Sequence, residues 1–149
     1  MSKNYRRCVG IVLVNNGKKV LLCERADIAG QWQFPQGGVE KEETVLEAAY
    51  RELEEETSVV SVELVGYSEE AFAYDFPIEV AKRLKRDGQA ISWVFLKFCG
   101  QESEINLDTD NREFINWRWA DMKDAVNGIA DFKRSVYEKA AMQFERVIK

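Results

Sequence analysis

The stretch GGVEKEETVLEAAYRELEEETSV, Gly37 to Val59, decides how the chain is read. It opens on a Gly-Gly turn and continues with carboxylates at helical spacing. At about 100° per residue with Glu52 as origin, Glu55 lies near 300° and Glu56 near 40°, so three carboxylates share about 100° of one helix face. Leu46, Ala49, Tyr50 and Leu53 fall between about 60° and 160°, which predicts an apolar face beside the acidic one, with Glu47 and Glu54 turned to solvent. Like charges one turn apart destabilise an exposed helix by roughly 0.2–0.5 kcal/mol per pair. Clustering them calls for a counter-charge. A hard cation such as Mg²⁺ supplies it, because it takes oxygen ligands and is commonly shared between a few carboxylates and substrate phosphates.

Outward from this helix, the chain reads as strands and helices mixed without regular alternation and without repeats. Arg7 to Val14 is a β-branched apolar run, and Val20 to Cys23 is another. Asn15-Asn16-Gly17-Lys18 between them predicts a hairpin. Ala26 to Gln36 lacks periodicity and is expected to be a loop leading into Gly37, with the helix starting near Glu43 or Thr44. Ser61 to Phe76 looks strand-like and ends at Pro77. Ile78 to Gly88 carries Lys82, Arg83, Lys85 and Arg86 and is expected to be a solvated basic loop, with phosphate contact as the alternative. Ile91 to Phe98 and Phe114 to Trp119 predict two more strands. Asp121 to Val126 predicts a short helix, and Asp131 to Ile148 a longer one with Phe132, Val136, Ala140, Phe144 and Val147 along one stripe. This order favours an α+β fold.

Composition bounds the function. At 149 residues the chain suits one domain, 1–149, and its 46% hydrophobic and 32% charged residues describe a globular protein. No apolar run approaches the ~20 residues that span a bilayer, and MSKNYRRC lacks the apolar segment of a signal peptide. A cytoplasmic location follows as the expectation. Three widely spaced cysteines and no histidine argue against structural zinc, disulfides and every His-dependent nucleophilic scheme. A formal charge of −5 argues against broad nucleic-acid binding, so any RNA contact should be local.

The residues around the acidic helix fit one longer pattern, G-x5-E-x7-R-E-U-x-E-E-x-G-U with U aliphatic, through Gly37, Glu43, Arg51, Glu52, Leu53, Glu55, Glu56 and Val59. The pattern resembles the signature of the Nudix hydrolases. Two positions depart: Ser58 stands in the place of the late glycine, and Glu42 where relatives often have glycine. Further segments, Tyr5-Arg6, Val9-Gly10, Trp32 to Gly38, Glu113-Phe114, Trp117 to Trp119 and Phe132 to Tyr137, are similar to the branch comprising RNA pyrophosphohydrolases and dinucleoside polyphosphate hydrolases. That likeness covers almost the whole chain.

The resemblance implies a mixed sheet between helices, an α/β/α sandwich. It implies Glu52, Glu55, Glu56 and Glu113 as metal ligands with Gly37 at the same metal site, and Arg51 and Glu43 holding the loop to the helix. It counts Arg51 with Glu52, Glu55 and Glu56 in the catalytic set. Arg6, Arg25 and Lys133 would face phosphate or base, and Phe132 would offer a stacking face, although it also belongs to the core stripe of its helix. Ile91 replaces a glutamine of relatives. Ser58 is expected to strain or shift the turn after the helix. The implied activity is Mg²⁺- or Mn²⁺-dependent pyrophosphate hydrolysis at a nucleoside 5′-polyphosphate, on RNA or a dinucleoside polyphosphate. The general base stays open among Glu52, Glu55, Glu56 and Glu113, with Glu55 or Glu56 preferred. The alternatives are a hydrolase of free nucleoside triphosphates and a non-catalytic nucleotide-binding module.

Overall fold

Every position from Cys8 to Val14 is buried, which a strand achieves only when both of its faces are covered. The computed structural model, which describes residues 3–148, places this strand, β1 (Tyr5–Val14), at the centre of an eight-stranded mixed sheet. β2 (Val20–Arg25) follows through the expected hairpin, with Lys18, at φ 62°, as its left-handed residue. On its other side β1 runs parallel to β7 (Gly88–Phe98), from Tyr5 against Gly88 to Val14 against Lys97.

The remaining strands pair antiparallel. β5 (Val62–Tyr67) and β6 (Phe72–Asp75) lie on β7, and β8 (Phe114–Ala120) lies on β2. The stretch read as one strand from Ser61 to Phe76 is thus two. The segment expected to be a loop, Ala26 to Gln36, contains β3 (Trp32–Gln33) and leads into β4 (Gln36–Gly38). These pieces are too short for periodicity, and their pairing with β2 and β1 defines them.

Alternation along the central strands builds two cores. Cys8, Val12 and Val14 with Ile91, Trp93 and Phe95 face one side. There α3 (Met122–Gly128) and α4 (Arg134–Val147) contribute Met122, Ala125, Val136, Tyr137 and Ala140. Val9, Ile11 and Leu13 with Val94, Leu96 and Phe98 face the other side under α1 (Val45–Thr57), which supplies Ala48, Ala49 and Leu53. The result is the α+β sandwich of helix, mixed sheet and helix.

Two boundaries differ from expectation. Asp131–Lys133 forms a separate 3₁₀ turn ahead of α4. The basic run is not a loop: Ile78–Leu84 is a helix, α2, that buries none of its residues. Pro77 stands at its N-cap, and Lys85 closes it with a left-handed backbone, φ 57°.

Candidate active site

The acidic helix is set in place at both ends. Thr44 caps its start: the Glu47 amide donates to the Thr44 hydroxyl at 3.1 Å, and the Thr44 amide donates to the Glu47 carboxylate at 2.9 Å. At the other end Ser58 adopts the left-handed conformation itself, φ 68°, so the turn keeps the shape a glycine would give it. Its amide donates to the Glu54 carbonyl at 2.8 Å, and its hydroxyl to the Asn106 carbonyl, also at 2.8 Å. The second bond offsets the roughly 1 kcal/mol that a Cβ costs there.

The burial of α1 corrects the expected division of its faces. Tyr50 is 40% exposed, whereas Ala48 and Glu56 are buried. Ala48 lies about 40° to one side of Glu52 and Glu56 about 40° to the other, so the acidic arc overlaps the packed face. The sheet surface opposite this arc ends in β4, whose glycines leave room for carboxylates. A Cβ on Gly37 would fall on the Glu52 carboxylate, and one on Gly38 on the Arg6 guanidinium.

Arg51 organises the acidic residues from behind. Its guanidinium donates to both Glu43 oxygens, at 2.7 and 2.9 Å, and to the Gly38 carbonyl at 2.8 Å. It also reaches Glu52 at 2.8 Å and Glu55 at 3.2 Å. Glu43 in turn accepts from the Glu40 amide at 2.9 Å. One arginine thereby ties the loop ahead of the helix, β4 and two carboxylates together. It does not line the cleft that they face.

Glu56 is different. It is 6% exposed, and the one donor it meets among the described residues is the Gln36 amide, at 3.2 Å. Burial pushes its carboxyl well above the usual range, and the charges of Glu52 and Glu113 push it further. Burial also raises Glu52, against the opposing pull of Arg51. Glu113, exposed just ahead of β8, approaches from another element.

Cationic side chains line the same cleft. Arg6 on β1 lies over Gly38. Arg25, at the bulged end of β2, makes a two-pronged ion pair with Asp27, at 2.8 and 2.6 Å. Lys133 is 7% exposed, and its ammonium has no ion-pair partner among the described residues. Burial, then the nearby Arg25, lowers its pKa to about 8. Phe132 packs against Tyr74 and Phe76, with ring centroids 6.0 and 6.5 Å apart, and also lines the cleft.

One cleft of about 1020 Å³ brings these groups together. Arg6, Arg25, Gly37, Glu52, Glu55, Glu56, Glu113, Phe132 and Lys133 all line it. Gln36, Tyr74 and Gln89, which the sequence reading did not assign to the site, line it too, and so does Arg83. Tyr74 donates to the Gln89 side-chain carbonyl, and Gln36 approaches the same oxygen at 3.4 Å. Nothing local marks those three, because β6, β7 and β4 meet only in the sheet. Arg83 did carry a signal, the basic run, which the helix turns toward the cleft.

The donor set suits a hard divalent cation. It is all oxygen, and it includes a buried carboxylate without a cationic partner of its own. As the side chains stand, no three acidic groups form a closed cage among the described residues. Glu52 and Glu55 instead lean toward Arg51. Such an open arrangement fits a cation that keeps several waters and is completed by substrate phosphates.

A NUDIX domain model matches residues 4–140. An RNA pyrophosphohydrolase of Wolbachia pipientis is 39% identical over 99% of this chain and 93% of its own. Nudix hydrolase 26, chloroplastic, of Arabidopsis thaliana is 39% identical over 95% of this chain and 70% of its own. Among solved structures, the Escherichia coli dihydroneopterin triphosphate pyrophosphohydrolase shares the fold with a TM-score of 0.74 at 22% identity, covering 95% of this chain and 99% of that one. A Caenorhabditis elegans Ap4A hydrolase does so with a TM-score of 0.65 at 18% identity, covering 93% and 98%.

Proposed function

The chain belongs to the NUDIX family, and on that premise we propose that it is a divalent-metal-dependent pyrophosphohydrolase acting on nucleoside 5′-polyphosphates, either at RNA 5′ ends or in dinucleoside polyphosphates. The observation that carries this reading is that one cleft is lined both by a set of carboxylates and by a set of cations. A polyphosphate repels any nucleophile with its own charge, so its hydrolysis needs cations along the chain and a base beside the water.

Glu52, Glu55, Glu56 and Glu113 would hold Mg²⁺ or Mn²⁺ with Gly37 at their side. When bound, such a cation supplies charge neutralisation of phosphate oxygens and activation of water. Arg6 and Arg25 bind the polyphosphate and orient it, as guanidinium groups do with two phosphate oxygens at once, and Lys133 adds a compact positive charge. Hydrolysis adds water across a P–O–P bond, and the proton of that water passes to a carboxylate of the acidic set. Glu55, the most exposed of the three clustered carboxylates, and Glu56, whose burial favours holding a proton, are the preferred acceptors. Arg51 keeps their helix and loop in register. Phe132 offers a stacking face to a base, its other contacts being core packing.

The free cysteines Cys8, Cys23 and Cys99 suit a reducing compartment, which supports a cytoplasmic site of action. No helix among the described residues is long and apolar enough to cross a membrane.

The test is one assay. Purified protein with Mg²⁺ or Mn²⁺ is offered 5′-triphosphorylated RNA, diadenosine tetraphosphate and free nucleoside triphosphates in parallel, and the products are resolved. Turnover of either of the first two above the free triphosphates is the expected result. Preference for free triphosphates moves the assignment to nucleotide-pool hydrolysis, and no turnover of any substrate overturns it.

A further inference from the structure

Arg25 is assigned above to phosphate, yet its guanidinium is already engaged. Asp27 meets it through both carboxylate oxygens, Nε to Oδ1 at 2.8 Å and Nη2 to Oδ2 at 2.6 Å. Two parallel N–H···O⁻ bonds are also the geometry in which a guanidinium takes two oxygens of a phosphate. The partners differ in freedom: the Arg25 side chain is 28% exposed and anchored at a strand end, whereas that of Asp27 is 66% exposed on the connection to β3.

Other cations point to the same carboxylate. Arg83 comes from α2, and Lys133 from the turn ahead of α4. Arg83 helps to keep Asp27 ionised, and the charges of Asp27 and Lys133 act on one another. Arg83 makes no ion pair among the described residues, and Arg83, Lys133 and Arg25 all line the cleft. Three elements thus bring cations near one exposed carboxylate, as they would near a bound anion.

We infer that Asp27 is an internal competitor that occupies the phosphate-binding face of Arg25 until the substrate displaces it, and so sets the affinity of the cleft for polyphosphate. The inference rests on the reading of this cleft as a polyphosphate site. Asp27 weakens every ligand that uses Arg25 by the strength of the pair it must break, which is how an interface limits affinity through a built-in alternative. It also keeps a guanidinium in place and charge-satisfied while the site is empty, and it speeds departure of the phosphorylated product by returning to its partner.

Binding of inorganic triphosphate, measured by titration calorimetry at fixed Mg²⁺, tests this without reference to turnover. Asp27→Asn and Asp27→Ala should each bind it about threefold to fivefold more tightly than the natural chain, the range expected for loss of a partly exposed ion pair. In an Arg25→Gln background the same Asp27 substitutions should change affinity much less. That background separates competition for Arg25 from simple removal of a negative charge, which would tighten binding equally in both. Unchanged or weaker binding in the Asp27 variants overturns the inference, and so does an equal gain in both backgrounds. If the natural chain fails to bind inorganic triphosphate at all, the polyphosphate reading of the cleft falls together with it.

Discussion

The two helices that flank the sheet bury different chemistry. α4 sets Val136, Tyr137 and Ala140 into an aromatic core. There Tyr137 stacks on Phe34 at 5.0 Å, meets Trp93 edge-on at 5.3 Å and accepts the Phe34 amide at 3.0 Å. The Trp93 indole donates to the Val136 carbonyl at 3.0 Å, so the polar atoms of both rings are paired. α1 rests on Ala48, Ala49 and Leu53 but also carries Glu56 inward against the carboxylates Glu52 and Glu113. The contrast teaches that one side of the sheet is arranged for stability, and that the other carries a local electrostatic penalty which a bound cation and its substrate would relieve.

The largest effect should come from the stable side. Tyr137→Ala removes a fully buried aromatic ring and should lower unfolding free energy by about 4 kcal/mol, read from urea denaturation. A loss under about 1 kcal/mol would break the comparison at its stronger end. Next, Glu56→Gln should reduce kcat at saturating Mg²⁺ by at least about a hundredfold, the equivalent of two to three kcal/mol of lost charge stabilisation. With metal chelated, its melting temperature should hold or rise, because a neutral amide replaces an unpaired buried carboxylate. A variant that is both active and less stable would show that α1 is an ordinary structural helix.

Lys133 stands between the two, buried like a core residue and charged like a site residue. Lys133→Ala should lower kcat/KM on triphosphorylated RNA by roughly 1.5–3 kcal/mol of transition-state stabilisation, as for a hydrogen bond to a charged group. Lys85→Ala, outside the cleft, serves as the control. Since burial brings the amine to about pKa 8, the natural chain should lose polyphosphate affinity as pH rises through about 8, where the ammonium gives up its proton. Lys133→Arg should retain its affinity over that range. The smallest effect belongs to Ser58→Gly: relief of the left-handed Cβ and loss of the bond to Asn106 oppose one another at about 1 kcal/mol each. A melting temperature close to that of the natural chain is expected, and a clear rise would show that the Ser58 hydroxyl contributes little.

Much of this was legible in the amino-acid order because the signals are local. The β-branched runs on either side of Asn15 to Lys18 read as a hairpin, and the carboxylate spacing read as one helix face. The likeness around Gly37 to Val59 named residues that the cleft brings together. What escaped depends on pairing across the sheet. β3 and β4 hold two and three residues, too few for any period, and they exist through their partners on β2 and β1. α2 buries no side chain, so its run of lysines and arginines carries no apolar stripe to announce a helix. The overlap of the acidic and packed faces of α1 was hidden for a related reason: the space that admits Glu52 is made by Gly37, on another strand.

The parallel pairing of β1 with β7 also governs how the chain can reach its fold. Tyr5 meets Gly88, and Val14 meets Lys97, so the central ladder joins segments separated by more than half of the chain. Closing so long a loop must precede the reward of the contacts, which slows folding in chains dominated by such pairings. During synthesis β1 emerges well before β7, with two apolar faces and no parallel neighbour until β7 leaves the ribosome. The antiparallel hairpin with β2 is the first local partner available to it. The interval before β7 arrives is when this chain is most exposed to aggregation and most dependent on chaperones.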